Sequence, residues 1–341
     1  MQRLLADLGE PQRRYPAVHV VGTNGKTSTT LLTAALLRSA GLHVGAYVSP
    51  HVRGWPERIQ LDGADADFEA AVGRVRPLAE GATQFEVLTA AALAEFAAAG
   101  VDVAVVEAGL GGRHDATNVL GARVVVLTNV ALDHTQVLGE TREAIAAEKL
   151  AVVSPGAVVV LGEPEWEALA RAQGAVRVDL AGSSNLALAV AAAEAHLGRA
   201  VDPHAADGLA IPGRLERRGA HEIWDGAHNL AGIGYLLPRL PNRRFTIVSS
   251  ILADKEVDGM LVALAAVGDT FVATRSGNAR ALPAEELAAR AAPHFARVEA
   301  VSDPGEALVR ARALAAAGDV LVTGSLYLLA DLYNRQHASS T

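Results

Sequence analysis

Five short valine-rich runs, set apart by longer Ala- and Leu-rich stretches, restrict this chain more than any other feature. Residues 17–22, 43–49, 101–109, 123–130 and 157–162 are each too short for a helix and largely apolar on both faces. Strands buried inside a parallel sheet look like this. The stretches at 27–40, 85–99, 141–152 and 185–197 predict helices between them. Strand–helix alternation means βαβ units and a mainly parallel sheet, hence an α/β fold. A second series follows Pro212, with strands predicted at 221–224, 244–250, 269–274, 296–301 and 319–323 and helices at 282–291 and 304–316. Between the two series, residues 202–213 carry two Pro, two Gly and two Asp and read as a linker. The 341 residues fit about two domains, predicted at 1–211 and 212–341. The second is long enough for a small open α/β, Rossmann-like domain. No repeat period is visible.

The first strand runs straight into Gly22-Thr23-Asn24-Gly25-Lys26-Thr27-Ser28, and a predicted helix starts at once. Glycines let the backbone turn and bring its N–H groups close to a phosphate. The helix N-terminus adds roughly half a positive charge. Lys26 can reach the outer phosphates and the Thr27 hydroxyl can ligate Mg²⁺. Val20 stands where the usual pattern has its first glycine, so this is a variant phosphate loop, and a nucleotide phosphate is its expected ligand.

Composition narrows the remaining chemistry. There is no cysteine, which excludes a disulfide scaffold, a Cys-ligated zinc and a catalytic thiol. Net charge is 30 − 38 = −8, the wrong sign for a general nucleic-acid coat. No apolar stretch has the length of a membrane span, and the first 14 residues show no signal-peptide core, so a cytoplasmic protein without membrane or nucleic-acid partners is expected. In open α/β sheets, ligands gather at the C-terminal ends of strands. Polar residues follow several strands here: Ser49, Pro50 and His51; Glu107 and the Gly109, Gly111 and Gly112 loop to Arg113; Asn129, Asp133 and His134; and, on the next helix, Glu148 and Lys149. Taken singly, Ser49 is a turn hydroxyl, His134 a surface histidine and Lys149 a solvated helix lysine. Their shared place after successive strands points to a site. A carboxylate ending a buried strand, as Glu107 does, is costly unless paired or metal-bound, and Mg²⁺ takes such oxygens.

Together with further segments, these residues resemble the folylpolyglutamate synthase family, many of whose members are also dihydrofolate synthases, within the Mur-type ligases. The matching text is Gly22 to Thr27; Tyr47-Val-Ser-Pro-His51 with Glu57-Arg58-Ile59; Phe85-Glu86-Val-Leu-Thr89; Glu107-Ala-Gly-Leu-Gly-Gly-Arg113 with Asp115-Ala-Thr-Asn118; Leu132-Asp-His-Thr135 with Leu138-Gly139; Glu148-Lys149; Gly213-Arg214-Leu-Glu216; Asp225-Gly-Ala-His-Asn229; Asp254-Lys255; and Gly324-Ser325-Leu-Tyr327.

The resemblance implies an ATP-dependent ligase. ATP phosphorylates the γ-carboxylate of a folate's terminal glutamate, and the amine of free L-glutamate attacks the acyl phosphate. It implies ATP contacts from Gly22, Thr23, Asn24, Gly25, Lys26, Thr27, Ser28, Asn185, Arg214 and Asp225. It implies magnesium near Thr27, Ser49, Glu107, His134 and Lys149, with Lys149 carboxylated by CO₂. His228 and Ser325 would meet the incoming glutamate, and Lys26, Lys149 and His228 would be catalytic. A monomer is expected.

The match has three departures. Gly25-Lys26-Thr27-Ser28 replaces the family's Gly-Lys-Gly-Ser. The chain starts close to the Leu4–Leu8 helix, without the segment that holds dihydropteroate in bifunctional members. The text from Lys149 to Asn185 is short and lacks a His-Gln pair before Asn185, so either the adenine pocket is trimmed or another residue takes that place. Two other readings compete. A cell-wall precursor ligase of the same superfamily shares Thr27, but the 109–118 run opposes it and the first 16 residues leave no room for a UDP-sugar domain. A non-catalytic nucleotide-binding regulator would not need Lys26, Glu107, His134, Lys149 and His228 together.

Overall fold

The computed structural model describes residues 1–338 and divides into two compact units. One comprises Met1–His51 and Trp55–Leu209; the other comprises Val52–Gly54 and the chain from Ala210 onward.

The first unit is built on eight strands: β1 (Ala17–Val21), β2 (Val44–Tyr47), β3 (Ile59–Leu61), β4 (Ala64–Asp65), β5 (Val103–Glu107), β6 (Val124–Leu127), β7 (Val158–Leu161) and β8 (Arg177–Leu180). Their order is β4-β3-β2-β5-β1-β6-β7-β8. The six strands from β2 to β8 are parallel, while β3 and β4 add an antiparallel edge. Side chains alternate along β1. Val18 and Val20 pack with Leu36, Leu37 and Leu188 on one face, and Ala17 and Val21 pack with Leu93 and Ile145 on the other. From β1 the sheet grows in both directions, through β5 to one side and β6 to the other. That reversal is the place where an open α/β sheet opens a crevice.

Local chemistry sets the helices. Gln84–Ala99 begins with a capping box between Thr83 and Glu86 and ends at left-handed Gly100. Arg142–Leu150 is capped by Thr141, and Asn185–Leu197 by Ser184. Lys26–Ser39 differs: its N-cap is Gly25 and no side chain caps it. Its first-turn N–H groups are thus left to whatever anion the loop binds.

The second unit holds β9 (Glu216–Arg217), β10 (Glu222–Trp224), β11 (Phe245–Ser249), β12 (Gly268–Ala273), β13 (Arg297–Ala300) and β14 (Asp319–Thr323), in the order β13-β12-β11-β14-β10-β9. Only β9 is antiparallel. Val52 packs in this unit's core with Trp224, Val248, Val322 and Leu329.

The predicted strands are present, most of them trimmed by one to three residues at one or both ends. Strands β3, β4, β8 and β9 were not anticipated. All four are short and carry polar residues, and β4, β8 and β9 lie at sheet edges, so they lack the two-faced apolar signature. The predicted linker contributes a 3₁₀ turn at Pro203–Ala206, with Ala206 buried in the first unit's core.

Candidate active site

The phosphate loop is shaped by the end of β6. A Cβ on Gly22 would lie 1.8 Å from Thr128 Oγ1, so only glycine fits there. The Thr128 hydroxyl donates to the Asn24 carbonyl (2.6 Å). Asn129 then clasps the loop. Its carbonyl accepts from Thr23 N–H (2.9 Å), its Oδ1 accepts from Asn24 N–H (3.1 Å) and its Nδ2 donates to the Asn24 carbonyl (3.1 Å). Gly25 has φ +82°, and a Cβ there would meet Asn185 Oδ1 at 2.5 Å. Asn185, the first residue of its helix, is therefore seated against the loop despite the shortened segment before it.

Beneath the loop, charged groups converge. Val20 and Glu107 are register partners on β1 and β5, which puts the carboxylate beside the start of the loop. Glu107 is 2% exposed. Its two oxygens accept from the Thr27 hydroxyl (3.1 and 2.9 Å), and Oε2 also accepts from Ser49 N–H (3.0 Å). Lys26 Nζ donates to the carbonyls of Gly22 and Thr23, both at 3.2 Å. Lys149, 3% exposed, donates to the same Gly22 carbonyl at 2.9 Å. Burial, followed by the nearby Lys26 charge, pulls the Lys149 ammonium down to about 7, against the partial upward pull of Asp133, Asp115 and Glu148.

The glycine loop after β5 holds the helix that carries Lys149. A Cβ on Gly112 would lie 2.5 Å from the Lys149 carbonyl oxygen. Arg113 N–H donates to the Glu148 carbonyl (3.1 Å), and its guanidinium meets the Glu148 carboxylate at 3.2 Å. His134 caps the short helix Thr135–Leu138 in a left-handed conformation (φ +51°), with Nε2 3.9 Å from Asp133 Oδ1. Ser28 is buried in the first turn beside Thr27. Among the described residues, no group of three or more His, Asp or Glu is placed to hold a metal. The oxygens shown at Glu107 are its own carboxylate and the Thr27 hydroxyl, hard donors that suit Mg²⁺ with most of its waters retained.

In the second unit, Asp225 follows β10. It is buried, and burial raises its pKa against the opposing pull of Arg214 and two backbone N–H groups. Those groups belong to Leu215 (2.8 Å) and Ala227 (2.9 Å). The Arg214 guanidinium donates to the Gly213 carbonyl (3.0 Å). His228 Nδ1 lies 2.9 Å from the Gly226 carbonyl. Since a carbonyl only accepts, Nδ1 carries the proton. Asn229 caps Leu230–Leu236 through Gly232 N–H (2.7 Å). Gly324 N–H donates to the Ala227 carbonyl (2.9 Å), which brings the end of β14, with buried Ser325, beside this loop.

Thr128 had no sequence signal. It is an ordinary residue at a strand end, and its role shows only through the glycine it contacts. Asn129 stood among the strand-end candidates, but its partners on the loop were not readable.

Comparison with known proteins agrees with this geometry. Residues 20–198 match the Mur ligase middle domain, and residues 213–326 match the Mur ligase glutamate ligase domain. A dihydrofolate synthase/folylpolyglutamate synthase of Mycobacterium tuberculosis is 35% identical over 94% of this chain and 83% of its own length. The M. tuberculosis folylpolyglutamate synthase complexed with ADP and AMPPCP superposes with a TM-score of 0.89 at 33% identity, over 98% of this chain and 94% of that one. The bifunctional Yersinia pestis enzyme, complexed with AMPPNP and Mn, does so with a TM-score of 0.86 at 28% identity, over 98% and 93%. Among the described residues no helix is long and apolar enough to cross a membrane. The chain belongs to the folylpolyglutamate synthase/dihydrofolate synthase family, the ATP-dependent folate–glutamate ligases of the Mur ligase fold.

Proposed function

We propose that this chain lengthens the glutamate tail of a reduced folate. A γ-carboxylate oxygen attacks the γ-phosphorus of ATP and ADP departs. The amine of L-glutamate then attacks the acyl carbon, phosphate leaves with the bonding pair, the amine loses a proton and a γ-linked amide remains. The observation that carries this reading is the convergence of Lys26, Thr27, Glu107 and Lys149 on one short loop. Phosphoryl transfer to a carboxylate brings anions together, and the protein must supply fixed positive charge and geometry.

Lys26, with the N–H groups of Gly25 and the first helical turn, holds the phosphates, and Asn185 contacts the nucleotide. Thr27, Ser49, Glu107 and His134 would hold a divalent metal, which would screen the phosphate oxygens and polarise phosphorus. Lys149 supports this set by reacting with CO₂. A pKa near 7 leaves much of its amine unprotonated at neutral pH, the form that adds to CO₂ to give a carbamate and a proton. The carbamate replaces an ammonium, which cations would repel, by an anion with oxygen donors. His228, its Nδ1 proton held by the Gly226 carbonyl, and Ser325 receive the incoming glutamate. The chain acts as a cytoplasmic monomer in this reading.

The test offers tetrahydrofolate, dihydropteroate and a cell-wall precursor separately, each with Mg-ATP and glutamate, and measures ADP release and product mass. Glutamate added to tetrahydrofolate is the expected result. Product from dihydropteroate alone would make the chain a dihydrofolate synthase, and product from the cell-wall precursor alone would overturn the reading.

A further inference from the structure

His19 sits in the middle of β1 among Ala17, Val18, Val20 and Val21, and it is 1% exposed. Its side chain shares a face with Ala17 and Val21, in a core of Val, Leu, Ile, Ala and aromatic side chains. Burial holds the imidazole neutral, with its pKa lowered to about 4. His19 Nε2 lies 2.7 Å from Thr117 Oγ1, and Thr117 is fully buried. Asp115 Oδ1 accepts from Thr117 N–H (2.9 Å) and from the Thr117 hydroxyl. Asp115 Oδ2 accepts from Leu110 N–H (2.8 Å). Both oxygens of Asp115 take N–H donors, so the carboxylate is an acceptor and the Thr117 hydroxyl proton points at it. His19 must then donate its Nε2 proton to Thr117. The chain of donors has one direction, from His19 through Thr117 to Asp115, with Leu110 closing it from the other side.

This chain grips the loop that follows β5. Asp115 N–H donates to the Gly112 carbonyl (3.1 Å), and Asn118 Nδ2 donates to the Arg113 carbonyl (2.9 Å). Gly112 is in turn pressed onto the carbonyls of Glu148 and Lys149. The strand that holds His19 leads into Gly22, the residue whose carbonyl receives Lys149 Nζ. One strand thus fixes Lys149 twice: directly, through the loop carbonyl, and from behind, through His19 and the glycine turn. An apolar side chain of similar volume would fill the place of His19 without needing a partner, and a satisfied buried network is what orients a group instead.

We propose that His19, Thr117 and Asp115 are positioning residues for ligation, a relay that registers the Gly111 and Gly112 turn against the helix carrying Lys149. The proposal rests on the ligase reading above, in which Lys149 acts at the phosphate loop.

The test compares Thr117→Val, Thr117→Ser, His19→Leu and His19→Gln, with Val159→Ala on β7 as a cavity control of lowered stability. It reads kcat, KM for ATP and amide hydrogen exchange at residues 110–113. Thr117→Val and His19→Leu should lower kcat by about 30- to 100-fold while KM for ATP moves less than about threefold, as expected for a displacement near 1 Å. Their amides at 110–113 should exchange at least about tenfold faster while β1, β5 and β6 keep their protection. Thr117→Ser and His19→Gln, which restore a donor at similar reach, should recover most of both effects. Unchanged kcat and exchange in Thr117→Val, no recovery in Thr117→Ser, or the same pattern in Val159→Ala would each overturn the relay. Absence of ligation by the unaltered protein would overturn the ligase reading alone, and the exchange pattern would still decide whether the relay holds the turn.

Discussion

The two sheets share a parallel layout and differ in what stands at their strand ends. In the first unit, Lys26 and Lys149 crowd a single carbonyl, and Glu107 is held by Thr27 and Ser49 among others. In the second, the one carboxylate ending a strand, Asp225, is engaged by the N–H groups of Leu215 and Ala227. Hydroxyls make up most of the rest: Ser249, Ser250, Thr274, Ser276, Thr323 and Ser325 are all buried. Long cationic side chains sharing one acceptor can turn to a polyanion without breaking the fold. A carboxylate that knits two loop amides can exchange partners only by opening the loop. The first arrangement can follow an arriving anion, and the second is a rigid frame.

That contrast can be broken at either end. Replacing Lys149 with Ala should have the largest effect, lowering kcat about a thousandfold, with partial rescue by formate or acetate followed as ADP release. Normal turnover in this variant would remove Lys149 from the chemistry. Glu107→Ala should lower kcat about a hundredfold and change ATP affinity far less, which a steady-state kcat and KM split will show. Gly22→Ala places a methyl against Thr128 Oγ1 and should weaken nucleotide binding by about 1–3 kcal/mol, measured by titration calorimetry with ADP. The pH profile is a milder probe. Lys149 is depressed to about 7, so its reactive free amine is lost as pH falls below that value. Turnover should drop about tenfold for each unit below it, and added bicarbonate should shift the fall to lower pH; profiles that coincide with and without bicarbonate would exclude carbamate formation. The smallest kinetic effect belongs to the second unit. Asp225→Asn leaves one loop amide facing a donor, so about 1–3 kcal/mol of stability should be lost while kcat changes by less than about tenfold. Calorimetric unfolding and turnover, measured on the same sample, test this.

Much of the fold was legible because strands buried on both faces are largely apolar, and β1, β2, β5, β6 and β7 read that way apart from His19 and the terminal Glu107. The rule fails at sheet edges. Arg177–Leu180 mixes charged and apolar residues and Glu216–Arg217 is wholly charged, and nothing in their text separates them from loops. In the candidate site, positions were legible and partners were not. Lys26, Glu107 and His134 could be picked out because each follows a strand, which is a property of the linear order. Val52 reads as part of a loop after His51, yet it packs with Trp224 and Leu329 in the other unit's core.

The sequence by itself determined that valine runs become parallel strands, that a phosphate loop opens a helix and that charged residues wait at the strand ends, because local pattern and burial preference act over a few neighbours. Only tertiary structure decided that Thr128 excludes any side chain from residue 22, that two lysines meet at one carbonyl and that a buried histidine, threonine and aspartate join across 98 residues. Those pairings arise from strand order and register, which bring together groups whose separation along the chain carries no trace of their contact.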